Sequence, residues 1–135
     1  MILGGTNDLG WNAAPADIMG NLLTMYELSA GAGIMSIPVT VPSIRMGDDL
    51  RSEEGRRCFT DHLDRRRQLN ELILRYAESK GLAAFDLFTA TAEPGTQQLA
   101  AQYSNDGLHL TTIGYRLVAE RLYQEIFSGA LANRS

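Results

Sequence analysis

Residues 104–115 read SNDGLHLTTIGY and place Asp106 and His109 three positions apart, in a glycine-containing turn that leads directly into a helix. At this spacing the carboxylate of Asp106 can hold one ring nitrogen of His109 while the other nitrogen faces a cleft. An imidazole oriented by an acid is the base of a hydrolytic triad. A histidine on a loop is more often a surface residue than a catalyst, so a second signal is needed to decide between these interpretations.

The second signal is at the other end of the chain, where residues 3–8 read LGGTND. This pattern predicts a short apolar strand that breaks at two glycines and brings the amide of Asn7 to the strand's carboxyl end. A side-chain amide in this position can donate a hydrogen bond to an oxyanion, although an asparagine at a strand end can also serve simply as a turn residue. Gly5 is expected to permit a backbone conformation or a close approach that a Cβ would block.

These two stretches resemble the SGNH, or GDSL-type, hydrolase family. Residues 5–8 match its G-x-N-D block, and residues 106–109 match its D-x-x-H block. The resemblance implies a role for five residues: Asp106 and His109 as catalytic residues, Asn7 as an oxyanion-hole donor, and Gly5 and Asp8 as residues that support the site. Trp11, one turn past Asn7, is a candidate for lining the substrate pocket, or it packs as a semi-exposed aromatic residue.

The family's nucleophile block, a G-D-S near the N-terminus, is missing, and so is the glycine-bearing block that follows it. None of the eight serines lies in a G-D-S or G-x-S-x-G setting. Ser43 follows a predicted strand on the correct side and is the least implausible substitute, whereas Ser104 lies too close to Asp106 in sequence to turn back towards His109. The resemblance therefore covers the C-terminal part of the family's domain, and the chain is expected to begin inside a strand.

Apolar periodicity predicts strands at residues 1–3, 34–39 and 82–88, which alternate with three longer helices. The helices are expected from Pro15 to about Gly31, from Ser52 to about Lys80, and from Thr111 or Thr112 onwards. This β-α-β-α-β-α order predicts an α/β fold with a parallel sheet. With the resemblance, the expectation is a three-layer α/β/α sandwich of the flavodoxin-like SGNH hydrolase type, N-terminally truncated, in a single domain of residues 1–135. Residues 40–55 form a candidate lid or specificity loop.

The amino-acid composition limits which binding partners and which cellular locations are expected for this chain. A net charge of −4 and a pI near 5.1 disfavour a nucleic acid or an anionic membrane as a partner. The basic run at residues 56–67, which includes His62, is interleaved with acids and is interpreted as a solvated helix face. No apolar run approaches the ~20 residues of a membrane helix. The expectation is a soluble protein, cytoplasmic or secreted, since lost upstream sequence could have carried a signal peptide.

The resemblance implies an ester hydrolase that uses a Ser-His-Asp triad, an oxyanion hole and no cofactor, with a small-molecule, carbohydrate or lipid ester as substrate. The chain alone is expected to be inactive because the nucleophile is missing. One alternative is a non-catalytic remnant that binds a ligand or partner through the same cleft. A weaker alternative is a metal-dependent phosphohydrolase; its metal ligands would be Asp8, Asp48, Asp106 and His109. The edge at residues 1–3 could also pair with a second copy to form a homo-oligomer.

Overall fold

The computed structural model describes residues 1–129, in which helices account for most of the regular structure. The α-helices of this part of the chain are α1 (Thr6–Gly10), α2 (Pro15–Gly31), α3 (Glu53–Ser79), α4 (Leu87–Thr91) and α5 (Thr112–Leu122). Short 3-10 helices cover Gly47–Arg51 and Ala101–Tyr103, and a π-helical turn, Tyr123–Phe127, continues α5. None of the helices within residues 1–129 has both the length and the apolar character needed to cross a membrane.

The three long helices begin where local sequence signals place them. Pro15 occupies the first turn of α2, where its missing N–H would have had no partner in the helix. The hydroxyl of Ser52 accepts a hydrogen bond from the N–H of Gly55 at 2.9 Å and caps α3. Thr111 caps α5 through the N–H of Gly114 at 3.3 Å. The predicted starts of these helices, and the predicted ends of α2 and α3, are therefore confirmed to within a residue or two.

Three extended segments run parallel between the helices, but they do not form a continuous sheet. Isolated parallel bridges join Ile2 to Pro38 and Val39 to Phe85. The N–H of Val39 donates to the carbonyl of Ile2 at 3.1 Å, and the N–H of Phe85 donates to that of Pro38 at 2.9 Å. Pro38 has no N–H to donate, so the middle segment lacks one of the backbone donors that a continuous sheet would use. The expected parallel sheet is thus not confirmed within residues 1–129, where single bridges join three parallel segments.

Two of the predicted strands are wrong in their extent. Ile34 and Met35 are exposed, and the N–H of Ile34 donates to the carbonyl of Ser29 at the end of α2, so the buried segment begins at Ser36. After Phe85 the chain turns at once into α4, because the carboxylate of Asp86 accepts the N–H of Thr89 at 3.1 Å. The apolar residues 87 and 88 therefore belong to a short helix.

The core consists of two separate clusters, and the extended segments contribute to both. The first joins α1, α2 and α3 and contains Leu9, Ile18, Met19, Leu22, Tyr26, Val41, Leu69 and Ile73. The second joins the segments at Val39 and Phe85 to α4 and α5 through Leu87 and Leu122. The helices thus fall into two groups, and the bridged segments connect one group to the other.

Side chains of α3 hold the connection that follows the middle segment. The amide of Asn70 accepts the N–H of Val41 at 2.7 Å and donates to its carbonyl at 3.0 Å. One turn earlier, the Nε of Arg66 donates to the carbonyl of Pro42 at 3.1 Å. Arg66 is only 2% exposed, so the interpretation of residues 56–67 as a solvated face is wrong at this position.

Candidate active site

Asp106 and His109 form a direct pair on the loop before α5. The Nδ1 of His109 lies 2.7 Å from Oδ2 of Asp106. Because an ionised carboxylate can only accept hydrogen bonds, Nδ1 must carry the proton that joins the two groups. In a neutral imidazole this leaves Nε2 with a free lone pair, which is the form that a general base requires.

The pair is held by the turn from which it projects. The Oδ1 of Asp106 accepts the N–H of Leu108 at 2.9 Å and the N–H of His109 at 2.8 Å, which is an Asx turn. Ser104 supports the turn from the other side, because its hydroxyl accepts the N–H of Gly107 at 3.0 Å. The hydrogen bond from His109, followed by these backbone N–H groups, holds the pKa of Asp106 well below its usual range. Asp106 therefore stays ionised wherever a histidine base is active.

Gly107 fastens this turn to the loop that precedes the first 3-10 helix. Its carbonyl accepts the N–H of Arg45 at 2.9 Å, and its φ is +81°. A Cβ at this position would lie 2.1 Å from the carbonyl oxygen of Arg45. The glycine in the D-G-L-H stretch is thus required by the close approach of two backbones.

Asn7 lies in the short helix α1, which Gly5 positions. Gly5 has φ +108°, and a Cβ there would lie 2.9 Å from a methyl group of Ile18 and 2.9 Å from one of Leu69. Leu9, fully buried, anchors the other side of α1, while Asn7 and Asp8 are exposed. Within residues 1–129 the side chain of Asn7 makes no hydrogen bond, so its amide is available to a ligand.

A cavity of about 400 Å³ brings Asn7 and His109 to one site, although they are separated by about a hundred positions in sequence. Its walls are mostly apolar and come from the three extended segments, α4, α5 and the loops beside them: Met1, Leu3, Val39, Pro42, Phe85, Leu87, Leu108, Leu110, Tyr115 and Val118. An apolar cavity with an amide and an imidazole at its border can hold an apolar group while these two polar side chains act on an adjacent bond.

Trp11, the candidate for lining the substrate pocket, does not line this cavity. Its side chain is 87% exposed and lies on a second depression of about 350 Å³. Thr6, Asn7 and Leu108 line both spaces, so the two depressions adjoin at Asn7. Asp8 and Gly5 border a shallow recess beside Asn7.

His62 and Arg66 also line the second depression, although neither was predicted from the sequence to be part of a site. A signal for Arg66 was present, since it lies three residues before Leu69 and seven before Ile73 and so shares the buried face of α3. His62, expected on the solvated face, is half-buried against the two neighbouring arginines.

No serine of residues 1–129 lines the cavity that contains Asn7 and His109. Ser43 is buried, and its hydroxyl donates to the carbonyl of Gln97 at 2.5 Å. Ser104 is engaged in the turn described above, and Ser135 lies outside the described residues. In the same part of the chain no three His, Cys, Asp or Glu side chains are grouped to hold a metal ion; Asp8 and Asp48 do not gather around the pair.

Comparison with known proteins decides the family. The sequence model of the GDSL-like lipase/acylhydrolase family matches residues 1–117. The chain belongs to this family. No match is found among curated proteins.

Two solved structures resemble this GDSL-like protein. The crystal structure of a GDSL-like lipase from Bacteroides thetaiotaomicron is 25% identical, with a TM-score of 0.76 over 93% of this chain. A predicted acylhydrolase from Bacteroides fragilis is 22% identical, with a TM-score of 0.71 over 93% of this chain, and this second likeness concerns the fold alone. This chain spans 60% and 59% of the length of these two proteins.

Proposed function

We propose that this chain supplies the general base, its orienting acid and the oxyanion donor of a serine ester hydrolase of the SGNH type. The observation that carries the proposal is the 2.7 Å contact between Nδ1 of His109 and Oδ2 of Asp106, at the border of the cavity that Asn7 also lines. Membership of the GDSL-like lipase/acylhydrolase family supports the same chemistry.

In the proposed reaction the nucleophile is a serine hydroxyl that lies outside these 135 residues. As its oxygen attacks the ester carbonyl carbon, Nε2 of His109 takes the hydroxyl proton and Asp106 stabilises the imidazolium that forms. The amide of Asn7 donates to the oxyanion of the tetrahedral intermediate. His109 then protonates the departing alcohol, and a water molecule, activated by the same imidazole, releases the acyl group from the serine.

We assign no serine of this chain as the nucleophile. Ser43 is the substitute that the sequence favours, but its hydroxyl is bound to a backbone carbonyl and it does not border the cavity of His109. The chain on its own is therefore expected to have little or no esterase activity, because loss of the nucleophile lowers kcat by orders of magnitude.

The extended segment at Met1–Leu3 is the proposed junction with the part that carries the nucleophile. Ile2 directs its N–H and carbonyl towards the middle segment, so the corresponding groups of Met1 and Leu3 point to the open side. The side chains of Met1 and Leu3 are exposed and line the cavity. A strand added here would extend the parallel segments into the sheet of a three-layer α/β/α sandwich; a second copy paired at this edge would give a homo-oligomer.

A non-catalytic ligand-binding domain is the second candidate, and the cavity itself favours it. The cavity is formed within residues 1–129 without a nucleophile, and its mostly apolar walls suit an apolar group. The two candidates differ in whether a nucleophile ever reaches His109.

The test compares the 135-residue chain with any longer chain that its gene encodes upstream of Met1. Both are incubated with a fluorophosphonate probe and with p-nitrophenyl acetate, and light scattering after size exclusion gives their oligomeric state. We expect the longer chain to react at a G-D-S serine and His109→Ala to abolish turnover. Arg57→Ala, at an exposed position of α3 that lines neither of the cavities at Asn7, is the matched control and should retain turnover.

Failure of the longer chain to label or to turn over ester would refute the hydrolase and leave the binding domain. Rapid ester turnover by the 135-residue chain would show that one of its own serines is the nucleophile.

A further inference from the structure

Arg66 is a buried cation without an acidic partner. It is 2% exposed, and no carboxylate within residues 1–129 lies at ion-pair distance from it. Burial and the nearby Arg65 lower its pKa to about 10, so the guanidinium is still charged at neutral pH. Because a charge removed from water is normally compensated by an opposite charge, the position calls for an anion.

The known contacts of Arg66 occupy only part of its hydrogen-bonding capacity. Its Nε holds the carbonyl of Pro42, and Nη1 lies 3.5 Å from Nδ1 of His62. Within the described residues its Nη2 makes no hydrogen bond. Asn70 already fixes the same connection through both backbone groups of Val41. Binding to this connection therefore explains the position of Nε of Arg66, but it does not explain the placement of the two terminal nitrogens of the guanidinium.

His62 is arranged as a neutral donor beside this guanidinium. Its Nδ1 faces Nη2 of Arg65 at 3.4 Å as well as Nη1 of Arg66, and both of these atoms can only donate. Burial, followed by the charges of Arg66 and Arg65, lowers the pKa of His62. With Nδ1 as the acceptor, the proton of the neutral ring is on Nε2, which is then free to donate to a ligand.

Arg65 does not compete for the same ligand. Its guanidinium donates to the carbonyl of Leu9 at 2.8 Å, to the side chain of Asn12 at 3.1 Å and to Asp61 at 2.9 Å. These contacts fasten the loop after α1 to α3. The charge directed at the second depression is therefore that of Arg66.

We propose that the second depression, lined by Asn7, Trp11, His62 and Arg66, binds a carboxylate of the substrate. In this arrangement the two cavities adjoin at Asn7, with the apolar cavity on one side of the scissile ester and the carboxylate site on the other. The substrate class is then an ester that carries a carboxylate on one side of the reacting carbonyl and an apolar group on the other. The assignment to a substrate rests on the proposed function, whereas the anion binding itself does not.

The test uses two probes that differ in one charge, monomethyl succinate and dimethyl succinate, at pH 7 and constant ionic strength. Binding to the full chain is followed by NMR titration, in which the indole N–H of Trp11, the only tryptophan, reports locally. We expect the monoanion to bind at least about tenfold more tightly, the ratio typical of one charge-assisted hydrogen bond. Its largest shifts should be at Trp11 and His62. Equal affinities, or shifts centred elsewhere, would overturn the proposal.

Variants at neighbouring positions provide the controls. Arg66→Met should abolish the preference for the anion, and Arg66→Lys should restore part of it. Arg67→Met removes an exposed charge that pairs with Asp64 and should leave the preference unchanged. If Arg66→Met does not fold, the comparison of the two probes on the unaltered chain still decides.

The experiments distinguish a wrong proposal for the carboxylate site from a wrong proposal for the hydrolase function. Without the site, a longer active chain would still cleave neutral esters. Without hydrolase chemistry, the anion preference would remain.

Discussion

Gly107→Ala should destabilise the fold and displace the Asp106–His109 pair together. The new Cβ would lie 2.1 Å from the carbonyl oxygen of Arg45, far inside van der Waals contact. A φ of +81° costs a residue with a Cβ about 1–2 kcal/mol, and relief of the overlap costs about 1–3 kcal/mol more. Separating the two loops would also break the 2.9 Å bond from Arg45 to Gly107, worth about 1 kcal/mol. We therefore expect a loss of roughly 3–6 kcal/mol.

Urea unfolding followed by circular dichroism measures this loss, and Gly20→Ala is the matched control. Gly20 is exposed on α2, and a Cβ there meets nothing within 4 Å, so alanine should stabilise the helix by about 0.5–1 kcal/mol. The His109 Nδ1 proton, observed by NMR, reports on the pair in the same samples. A Gly107→Ala variant with unaltered stability and an unaltered His109 signal would refute the close approach of the two loops.

Three further results are expected. Asp106→Asn should lower the population of the Nδ1–H tautomer of His109 without unfolding the chain, and the ring ¹⁵N shifts of His109 measure this population. An unchanged tautomer would mean that Asp106 does not orient the ring. The pKa of Asp106 is lower in the folded chain than its unfolded value of about 3.9. The ionised carboxylate should therefore contribute fully to stability above pH ~3.9, and this contribution should be lost as the pH falls further. A carboxyl ¹³C titration that gives an ordinary pKa for Asp106 would contradict this expectation. The hydroxyl of Tyr26 is buried with no partner within residues 1–129, and desolvation raises its pKa to about 12. Tyr26→Phe should therefore stabilise the fold by about 1 kcal/mol or more, whereas Tyr123→Phe, at an exposed position, should have little effect.

The three long helices and the Asp106–His109 pair were predictable from the sequence because their causes are local. Ser52 and Thr111 cap helices that begin at the next residue, and each cap involves an N–H only three positions away. Asp106 reaches both the backbone and the ring of His109 within one turn. Interactions of this range depend on residue type and spacing, which a sequence displays directly.

The extended segments were less predictable because their pairing is not local. Ile34 and Met35 are as apolar as the residues after them, yet the end of α2 holds them in solvent. The apolar run at residues 82–88 does not indicate that Asp86 will start a helix in the middle of it. Short apolar runs do not distinguish strand from helix by periodicity, so the contacts of the folded chain decide.

The sequence by itself determined the family motifs, the three long helices and the Asp106–His109 pair, since residues a few positions apart suffice for each. Only the tertiary structure decided that Asn7 borders the same cavity as His109, that Trp11 faces the adjoining depression, and that Arg66 is buried. Each of these depends on which surfaces α1, α3 and the loop before α5 present to one another. Periodicity locates the buried face of α3, but only the packed neighbours show that the charge of Arg66 is left without a carboxylate.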